Sequence, residues 1–444
     1  MKTFAFSFLL LILTVGLSNA QNVEIPDTRF LYSLIEKGVD TNGDSLISYA
    51  EAEAVIIMDV RGLGTEGNEM WEGNPLDMTG IEAFVNLDTL RCNYNALTSL
   101  DVSNNIALTY LDFRNNSLET LDVSNCTALT YLDFRNNSLG TLDVSNCTAL
   151  TYLDCRNNSL YILDVSNCTA LTYLDCSYNN LYTLDLSNCT ALTYLDCRNN
   201  SFETLDVSDC TALTYLDCSY NLIPRLDVYD NIALTNLDCS YNLIPRLDVY
   251  DNIALTNLDC RYNLIPRLDV SNNTALQHLD CSYNNLYTLD LSNCTALTYL
   301  DCSYTNPIQL DVSNSTSLKT LNIHHMKLLL VVYVWNSFPA GVAVESTDSP
   351  SMDFYKYGKG TGIVGIDQQG TRIYPNPVTD LLSIEKNVPG LHTIEIHSMN
   401  GQLLYNTKID GPTLQIDVST FQNGLYFITV RSKYYVRKEK IIKL

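Results

Sequence analysis

Oxygen-bearing side chains recur at alternate positions in one short segment near the N-terminus. Asp40, Asn42 and Asp44 are spaced two residues apart, and Glu51 follows them. Calcium prefers carboxylate, amide and carbonyl oxygens, and a bidentate glutamate commonly closes a loop of this kind. The residue types and their spacing therefore point to calcium as the chemistry of this segment.

Helical patterns flank the segment on both sides. Apolar spacing predicts one helix over Asp27–Gly38, with Asp27 as its N-cap, and a second over Ala50–Met58. A helix, a twelve-residue loop and a helix resemble the EF-hand. The resemblance implies that the calcium ligands are Asp40, Asn42, Asp44, the Leu46 carbonyl, Ser48 and Glu51.

Two loop positions bear on this resemblance. Ile47 matches the apolar position by which the family ties its loop to a partner, whereas Ser45 stands where the family has glycine for a sharp turn with positive φ. We expect a structural calcium ion at this loop. The alternative is an acidic connection between helices that binds no ion.

No pattern for catalysis accompanies the loop. The five histidines are His278, His324, His325, His392 and His397, and none belongs to an HExxH or Cys/His zinc spacing. The sequence also lacks the GxSxG, P-loop and GxGxxG motifs. We therefore predict no catalytic residues and a protein that is not an enzyme.

A repeat of 21 residues dominates the chain. Its register holds from Leu87 to about Leu318, and the segments Ser219–Cys239 and Ser240–Cys260 are identical. We number its positions from the first leucine, so that Leu150 is position 1 of Leu150–Ala170. A period of this length is typical of stacked units, none of which can bury its apolar face alone.

The repeat resembles the leucine-rich repeat. The pattern LxxLxLxxNxL is matched by Leu150, Leu153, Cys155, Asn158 and Leu160. The resemblance implies a solenoid with a parallel β-sheet on its concave face, a convex return, and an asparagine that bonds the turn backbone. Leu153 and Cys155 would point inward. Because side chains alternate along a strand, Tyr152, Asp154 and Arg156 would point outward.

The fifteen cysteines occupy two positions of the repeat. Position 6 also accepts Phe113, Phe134 and Ile323, so we interpret its cysteines as small packing hydrophobes. Position 19 also accepts asparagine and serine, and because it tolerates polarity we place it near the convex surface. A bridge such as Cys126–Cys147 stays an alternative there, since stacked neighbours would lie within disulfide reach.

Two columns of aspartate explain the acidity. The column at position 15 runs from Asp101 to Asp311, and we expect it to cap backbone amides. The column at position 5 lies on the strand, between tyrosine at position 3 and arginine or serine at position 7. Tyrosine and arginine supply contact area and forked donors, so this face is the candidate ligand-binding surface.

The candidate surface contains the outward residues of six repeats. They are Tyr110, Asp112, Arg114, Tyr131, Asp133, Arg135, Tyr152, Asp154, Arg156, Tyr173, Asp175, Tyr194, Asp196, Arg198, Tyr215 and Asp217. The alternative is that the tyrosines only stabilise the sheet and that the Asp–Arg pairs only keep it soluble.

The N-terminus predicts export. Lys2 precedes the apolar run Phe4–Gly16, and small residues lead to Ala20, which is the pattern of a cleaved signal peptide. This run and Leu328–Trp335 are too short to span a membrane, so we expect no transmembrane segment in the mature chain. The formal net charge of −24 argues against nucleic acid as a partner, because its phosphates would be repelled.

The last 73 residues have a different pattern. Short alternating strands with Asn-Gly turns predict an antiparallel β-sandwich. Its motifs are YPNP at Tyr374–Pro377, NGQ at Asn400–Gln402, NGLYFI at Asn423–Ile428 and KIIK at Lys440–Lys443. These motifs resemble the type A C-terminal sorting domain of the type IX secretion system. The resemblance implies transport across an outer membrane, with the type IX secretion machinery as a partner.

The sequence therefore predicts five segments. They are a signal peptide (1–20), an N-terminal cap with the EF-hand-like loop (21–86), a leucine-rich-repeat solenoid with its C-terminal cap (87–344), a linker (345–371) and a sorting domain (372–444). We expect an exported cell-surface or secreted binding or adhesion protein that recognises a protein or polysaccharide through its concave face. The alternative is a structural or adhesive matrix spacer stabilised by calcium, without a specific ligand.

Overall fold

The structure is a computed structural model of the 444-residue chain. It describes residues 21–62, 77–307, 309–326, 331–335, 343–345, 353–357, 364–366, 371–386, 391–431 and 436–444. The predicted signal peptide lies outside the described residues. The chain divides into two compact units, Met1–Ser159 and Leu160–Leu444.

Two short helices precede the repeats in the first unit. Thr28–Glu36 begins after Asp27, whose Oδ1 accepts a hydrogen bond from the Arg29 amide at 2.8 Å. Asp27 is thus the N-cap that the sequence predicts, and it satisfies an amide that the first helical turn leaves free. The second helix, Tyr49–Ala54, begins at a capping box formed by Ser48 and Glu51.

The predicted continuation of the second helix to Met58 is wrong. Ile57–Asp59 is a strand that pairs in parallel with Thr89–Arg91, so the sheet begins inside the predicted N-terminal cap. The β-branched run Val55–Ile57 favours extended backbone and ends the helix. A single turn of 3₁₀ helix, Ile81–Ala83, follows before the first repeat.

Positions 3 to 5 of the repeat form short parallel strands. In the first unit the sheet contains Ile57–Asp59, Thr89–Arg91, Tyr110–Asp112, Tyr131–Asp133 and Tyr152–Asp154. In the second unit a parallel sheet contains Tyr173–Asp175, Tyr194–Asp196, Tyr215–Asp217, Asn236–Asp238, Asn257–Asp259, His278–Asp280, Tyr299–Asp301, Thr320–Asn322 and Ala343–Glu345. Equivalent residues pair across neighbouring repeats, as Tyr110 does with Tyr131. The repeats of each unit therefore form a parallel β-solenoid.

A second row of strands lies at positions 13 to 15. Its members are Thr141–Asp143 in the first unit and Ile162–Asp164, Arg267–Asp269, Thr288–Asp290 and Gln309–Asp311 in the second. Gln309–Asp311 pairs in parallel with Val331–Trp335. The predicted last strand therefore extends this second row, whereas Ala343–Glu345 extends the first.

Two further strands lie in the segment predicted as a linker. Asp353–Tyr357 pairs in parallel with Val331–Trp335, and Val364–Ile366 pairs with Asp353–Tyr357 in the antiparallel direction. The polar, glycine-rich composition of 345–371 did not indicate these strands, because one of the three paired strands, Val331–Trp335, lies outside the segment. The antiparallel strand Val364–Ile366 is the last strand of this sheet, so the parallel pairing ends there.

The core of each repeat matches the predicted inward positions. Leu153 and Cys155 are both fully buried. The Asn158 side chain donates from Nδ2 to the carbonyls of Phe134 and Cys155 at 3.1 and 3.0 Å. Its Oδ1 accepts from the Leu139 amide at 3.1 Å. One asparagine therefore satisfies the backbone of two successive turns, and the predicted asparagine ladder is confirmed.

The placement of position 19 near the surface is wrong. Cys126 and Cys147 are fully buried, and all fifteen cysteines, which lie within the described residues, are free thiols. Position 19 accepts asparagine because its amide replaces the thiol as a donor to the preceding turn. Asn231 Nδ2 donates to the carbonyls of Val207 and Cys210 at 2.8 and 2.9 Å. Tolerance of a polar residue here reflects hydrogen bonding and not exposure.

The C-terminal region contains two antiparallel sheets. One consists of Thr371–Tyr374, Leu381–Lys386 and Thr413–Asp417, and the other of Leu403–Ile409, His392–Ser398, Gly424–Arg431 and Val436–Lys443. Ile384, Ile396 and Ile428 belong to one buried core that both sheets share. Asn376 of the YPNP motif donates to the Lys440 carbonyl at 2.7 Å and accepts from the Ile442 amide at 2.9 Å. The predicted antiparallel arrangement is confirmed.

Candidate functional site on the strand face

The outer surface formed by positions 3, 5 and 7 is the strand face. In-register pairing brings equivalent side chains of neighbouring repeats directly beside one another. The rings of Tyr110 and Tyr131 stack with centroids 4.2 Å apart, and Tyr131 stacks on Tyr152 at 4.4 Å. In the second unit, Tyr194 stacks with equal spacings of 4.4 Å on Tyr173 and Tyr215. Position 3 is thus a half-buried tyrosine column.

The aspartates at position 5 point outward but are covered. Asp133 and Asp154 are 0% exposed, and the Tyr131 hydroxyl lies 3.5 Å from an oxygen of Asp133. Loss of solvent, with smaller contributions from neighbouring carboxylates, raises the pKa of Asp112 to about 6 and that of Asp196 to about 7. These carboxylates therefore support the surface from beneath.

The arginines at position 7 join successive repeats. Arg114 Nη1 lies 3.4 Å from Asp133 Oδ2, and its Nε lies 3.7 Å from Asp112 Oδ1. Arg198 repeats this geometry in the second unit, with Nη1 at 3.2 Å from Asp217 Oδ2. A buried carboxylate is costly unless an opposite charge or hydrogen bonds compensate for its lost hydration. Each of these guanidinium groups neutralises the aspartate column and stays partly exposed itself.

Serine takes the place of arginine in several repeats. The Ser177 hydroxyl donates to Asp175 Oδ1 at 2.7 Å, and the Ser219 hydroxyl donates to Asp217 Oδ1 at 2.6 Å. Within each unit, the structure therefore brings the predicted strand-face residues of that unit onto one surface. The tyrosines and arginines of that surface are accessible in part, whereas its predicted aspartates are buried.

A second tyrosine column, which the sequence analysis missed, lies at position 8. Tyr220, Tyr241, Tyr262, Tyr283 and Tyr304 stack with centroid separations of 4.1, 4.3, 4.0 and 4.1 Å. Their φ angles lie between 51° and 55°, in the left-handed region. We call this column the turn ladder. The signal for it is the exchange of tyrosine with asparagine at position 8, because asparagine is among the non-glycine residues that most readily adopt left-handed backbone.

The aspartates at position 15 cap the turn that follows them. Asp122 Oδ1 accepts from the Ser124 amide at 2.9 Å, and Asp143 Oδ1 accepts from the Ser145 amide at 2.9 Å. Hydrogen bonds from these serines lower the pKa of Asp122 and of Asp143. The predicted capping role of this column is confirmed.

The predicted calcium loop is closed by its own amides. Asp40 accepts from the Gly43 and Ser45 amides at 2.7 and 2.9 Å. Ser45 has a φ of 64°, which is the sharp turn that glycine provides in the EF-hand. The Ile47 carbonyl accepts from the Val23 amide at 2.8 Å, so a segment near the described N-terminus pairs with the loop.

Glu51 bridges the two ends of this loop. Its Oε1 accepts from the Thr41 amide and hydroxyl at 2.8 Å, and its Oε2 accepts from the Ser48 amide and hydroxyl at 2.9 Å. These bonds, led by the Ser48 amide, lower the pKa of Glu51 to about 2. Asn42 and Asp44 bond each other and the amides beside them. The oxygen donors fit calcium in type, although they are engaged by the loop.

Neither a metal-binding cluster nor a membrane-spanning helix is found in the described part of the chain. There, no three His, Cys, Asp or Glu side chains are grouped so as to hold a metal ion. The same residues include no helix that is long and apolar enough to cross a membrane.

Comparison with known families identifies the C-terminal region. Residues 372–444 match the secretion system C-terminal sorting domain, and residues 150–180 match the LVIVD repeat. No curated protein sequence matches the chain. The first match covers the YPNP motif and the basic C-terminus that Asn376 joins by hydrogen bonds.

Comparison with solved structures identifies the fold of the repeats. The functional domain of InlJ from Listeria monocytogenes, which includes a cysteine ladder, is 24% identical, with a TM-score of 0.53. The match covers 96% of this chain and 100% of that one. Internalin InlF from the same species is 20% identical, with a TM-score of 0.52, and covers 74% of this chain and 95% of its own. These similarities show the fold alone.

The sorting-domain match is confined to residues 372–444, whereas the structural match to InlJ covers 96% of the chain. A sorting domain of this kind implies export through the type IX secretion system to the cell surface or the medium. Residues 372–444 are therefore a type IX secretion C-terminal sorting domain, which follows a solenoid with the fold of leucine-rich-repeat proteins.

Proposed function

We propose that this chain is an exported cell-surface or secreted binding protein whose strand face recognises a macromolecular ligand. The sorting domain supports export, and the leucine-rich-repeat fold is typical of binding proteins rather than of enzymes. The proposed ligand is a protein or a polysaccharide. We propose no catalytic activity.

The observation that carries the proposal is the rigid support beneath the outward tyrosines and arginines. Arg135 is held between the carboxylates of Asp133 and Asp154, and Tyr131 is stacked on both sides. Binding normally immobilises such side chains at a cost in conformational entropy. Because this ordering is already complete in the free protein, more of the contact energy is available for the ligand.

The test removes tyrosines without disturbing the repeat. Position 3 is asparagine at Asn236 and Asn257, so the substitutions Tyr131→Asn and Tyr194→Asn are compatible with the fold. The labelled chain is applied to a panel of immobilised purified proteins and polysaccharides. We expect saturable binding to at least one of them, weakened about tenfold or more in the double variant.

The control is Tyr182→Asn, because Tyr182 is 61% exposed at position 12, away from the strand face. It should bind as the unaltered chain does. Equal binding by the double variant and the unaltered chain, with melting temperatures unchanged, would overturn the strand-face proposal.

We also propose that the loop 40–51 binds a structural calcium ion. Asp40, Asn42, Asp44, the Leu46 carbonyl, Ser48 and Glu51 would hold it. The left-handed Ser45 and the pairing of Ile47 with Val23 support this proposal. A calcium-dependent spacer is the second candidate function, and it would be favoured if calcium stabilised the chain while the tyrosine substitutions left binding unchanged.

A further inference from the structure

In the second unit, the side chains that cover the position-5 aspartates are shorter at two successive repeats. Asn236 and Asn257 replace tyrosine at position 3, and Ser240 replaces arginine at position 7. Asp238 and Asp259 are half-buried there, whereas the position-5 aspartates from Asp112 to Asp217 are buried. Beside these shorter neighbours the two stacked carboxylates are partly exposed, and Arg261 pairs with Asp259 alone of the two. In the part of the chain that the structure describes, no arginine lies within salt-bridge distance of Asp238.

One repeat further along the chain, the equivalent position is occupied by the side chain of Arg261. Its Nε lies 3.4 Å from Asp259 Oδ2, and its Nη1 lies 3.4 Å from Asp280 Oδ2. The guanidinium carbon is 5.8 Å from the centroid of the Tyr241 ring. A planar guanidinium thus fits between two stacked carboxylates and beside a tyrosine of the turn ladder.

The previous repeat presents the same three groups without the arginine. Arg261 contacts Asp259, Asp280 and Tyr241. The equivalent residues one repeat earlier are Asp238, Asp259 and Tyr220, and the residue equivalent to Arg261 is Ser240. The strands remain in register, because Asp238 pairs with Asp259. Tyr220 is 46% exposed, so the position beside its ring is accessible.

Ser240 provides a second observation at this position. It is 1% exposed, and its hydroxyl is a buried polar group without a hydrogen-bond partner. By contrast, the hydroxyls of Ser219 and Ser282 each bond the aspartate of their own repeat at 2.6 Å. Ser240 lies at position 7, the position from which Arg261 reaches its carboxylates, and its amide donates to Asp238 Oδ1 at 2.9 Å, so its side chain begins beside this carboxylate.

We propose that Asp238, Asp259 and Tyr220 form a binding site, which we call the seat, for an arginine side chain of a partner protein. This inference rests on the proposed function and names the chemistry of the ligand. A guanidinium fork reaches two carboxylates at once, which the point charge of lysine does not do equally well. Uncharged polysaccharides lack such a group, so the seat favours a protein ligand. The net charge of −24 would attract a basic partner over a distance.

The test uses N-acetyl-arginine amide as the probe and ligand-observed NMR of the full chain as the measurement. The citrulline analogue, which has nearly the same shape but no charge, serves as the probe control. Ser240→Arg should occupy the seat with a guanidinium group of the chain itself. Asp238→Asn should remove one of the two carboxylate charges of the seat. We expect saturable binding of the arginine probe that falls about tenfold or more in both variants, and no comparable binding of the citrulline probe.

Each variant has a control that another repeat shows to be compatible with the fold. Thr183→Arg adds the same charge at position 13, where Arg225, Arg246 and Arg267 occur. Asp209→Asn removes the same charge at position 18, where most repeats have asparagine. Both controls should bind the probe as the unaltered chain does.

Three results would overturn the seat: no saturable binding to the unaltered chain, undiminished binding by Ser240→Arg, or equal loss in the Asp209→Asn control. None of these results concerns Tyr131 or Tyr194. Failure of the seat would therefore leave the binding-panel test of the strand face intact, and failure of that panel would leave the arginine measurement intact.

Discussion

Arg135 Nη1 lies 3.0 Å from Asp154 Oδ2, and this ion pair joins two successive repeats across the strand face. The Asp154 carboxylate is fully buried, whereas the arginine side chain is 21% exposed. Because the same arginine also approaches Asp133, one cation compensates two carboxylates that the sheet register forces together. The stability of the solenoid should therefore depend on these arginines.

We predict that Arg135→Ala lowers the free energy of unfolding by about 2 kcal/mol, which is below the range for fully buried pairs because the arginine is partly exposed. Arg135→Ser should lower it less, since serine at position 7 bonds its own aspartate, as Ser177 does. Denaturant titration gives both values. Arg225→Ala is the control, because Arg225 is 84% exposed and its pair with Asp227 should contribute close to nothing. Equal stability of Arg135→Ala and Arg225→Ala would contradict the prediction.

The buried aspartates predict an unusual response to pH. Burial raises the pKa of Asp112 to about 6 and the pKa values of Asp196 and Asp259 to about 7. A group whose pKa is raised by folding stabilises the fold below its unfolded pKa, and this contribution is lost as pH rises through the folded pKa. We therefore expect the melting temperature of the repeats to increase as pH is lowered from 8 to 5.

The capping carboxylates should reverse this trend in stronger acid. Glu51, Asp122 and Asp143 have lowered pKa values, so their contributions are present above the unfolded pKa and are lost as pH falls towards the folded value. Calorimetry between pH 8 and pH 3 should show a maximum in mildly acidic buffer. Asp196→Asn should flatten the part between pH 8 and 5, whereas Asp122→Asn, which removes a carboxylate of lowered pKa, should not. A melting temperature that falls steadily from pH 8 would exclude the effect.

Calcium should stabilise the N-terminal region if the loop binds it. An ion that binds only the folded state raises the free energy of unfolding in proportion to the logarithm of its concentration. We expect the melting temperature in millimolar calcium to exceed that in EDTA. Glu51→Gln should abolish the difference. Glu53→Gln should retain it, because Glu53 lies on the same helix and is exposed. No difference for the unaltered chain would refute the calcium proposal.

The turn ladder makes its own prediction. Tyr241 has a φ of 52°, and β-branched residues are especially unfavourable in left-handed backbone. Tyr241→Val should therefore destabilise the chain by about 1–2 kcal/mol from backbone strain, with a further loss from unstacking. Tyr241→Asn should be much milder, because asparagine occupies the same position as Asn157 with the same φ of 52°. If the two variants unfold at the same denaturant concentration, backbone strain is not what distinguishes them.

Much of the repeat could be predicted because its register leaves few choices. The 21-residue period places like residues side by side, and alternation along the strand directs Leu153 inward and Asp154 outward. The burial of the outward-pointing aspartates could not be derived from this alternation. Asp154 is buried because neighbouring tyrosine and arginine side chains are long enough to cover it, and this depends on the adjacent repeats.

The burial of position 19 and the existence of the first strand could not be predicted either, because both depend on residues elsewhere in the chain. The asparagine at Asn231 suggested exposure, yet its amide is buried against two carbonyls of the preceding turn. The strand Ile57–Asp59 pairs with Thr89–Arg91, and nothing in its own neighbourhood indicates that distant partner. The calcium ligands and the ligand-binding role of the strand face stay predictions.

The buried cysteine columns bear on the route by which the chain leaves the cell. Export exposes thiols to oxidants, and a thiol reacts as the thiolate. Burial raises the pKa of Cys189 to about 11 and that of Cys197 well above its usual value, so the folded repeats carry their thiols in an unreactive form. Protection is thus a property of the packed turn and requires no reductase. Folding must precede oxidation, and Ellman's reagent should find fifteen reactive thiols only after denaturation.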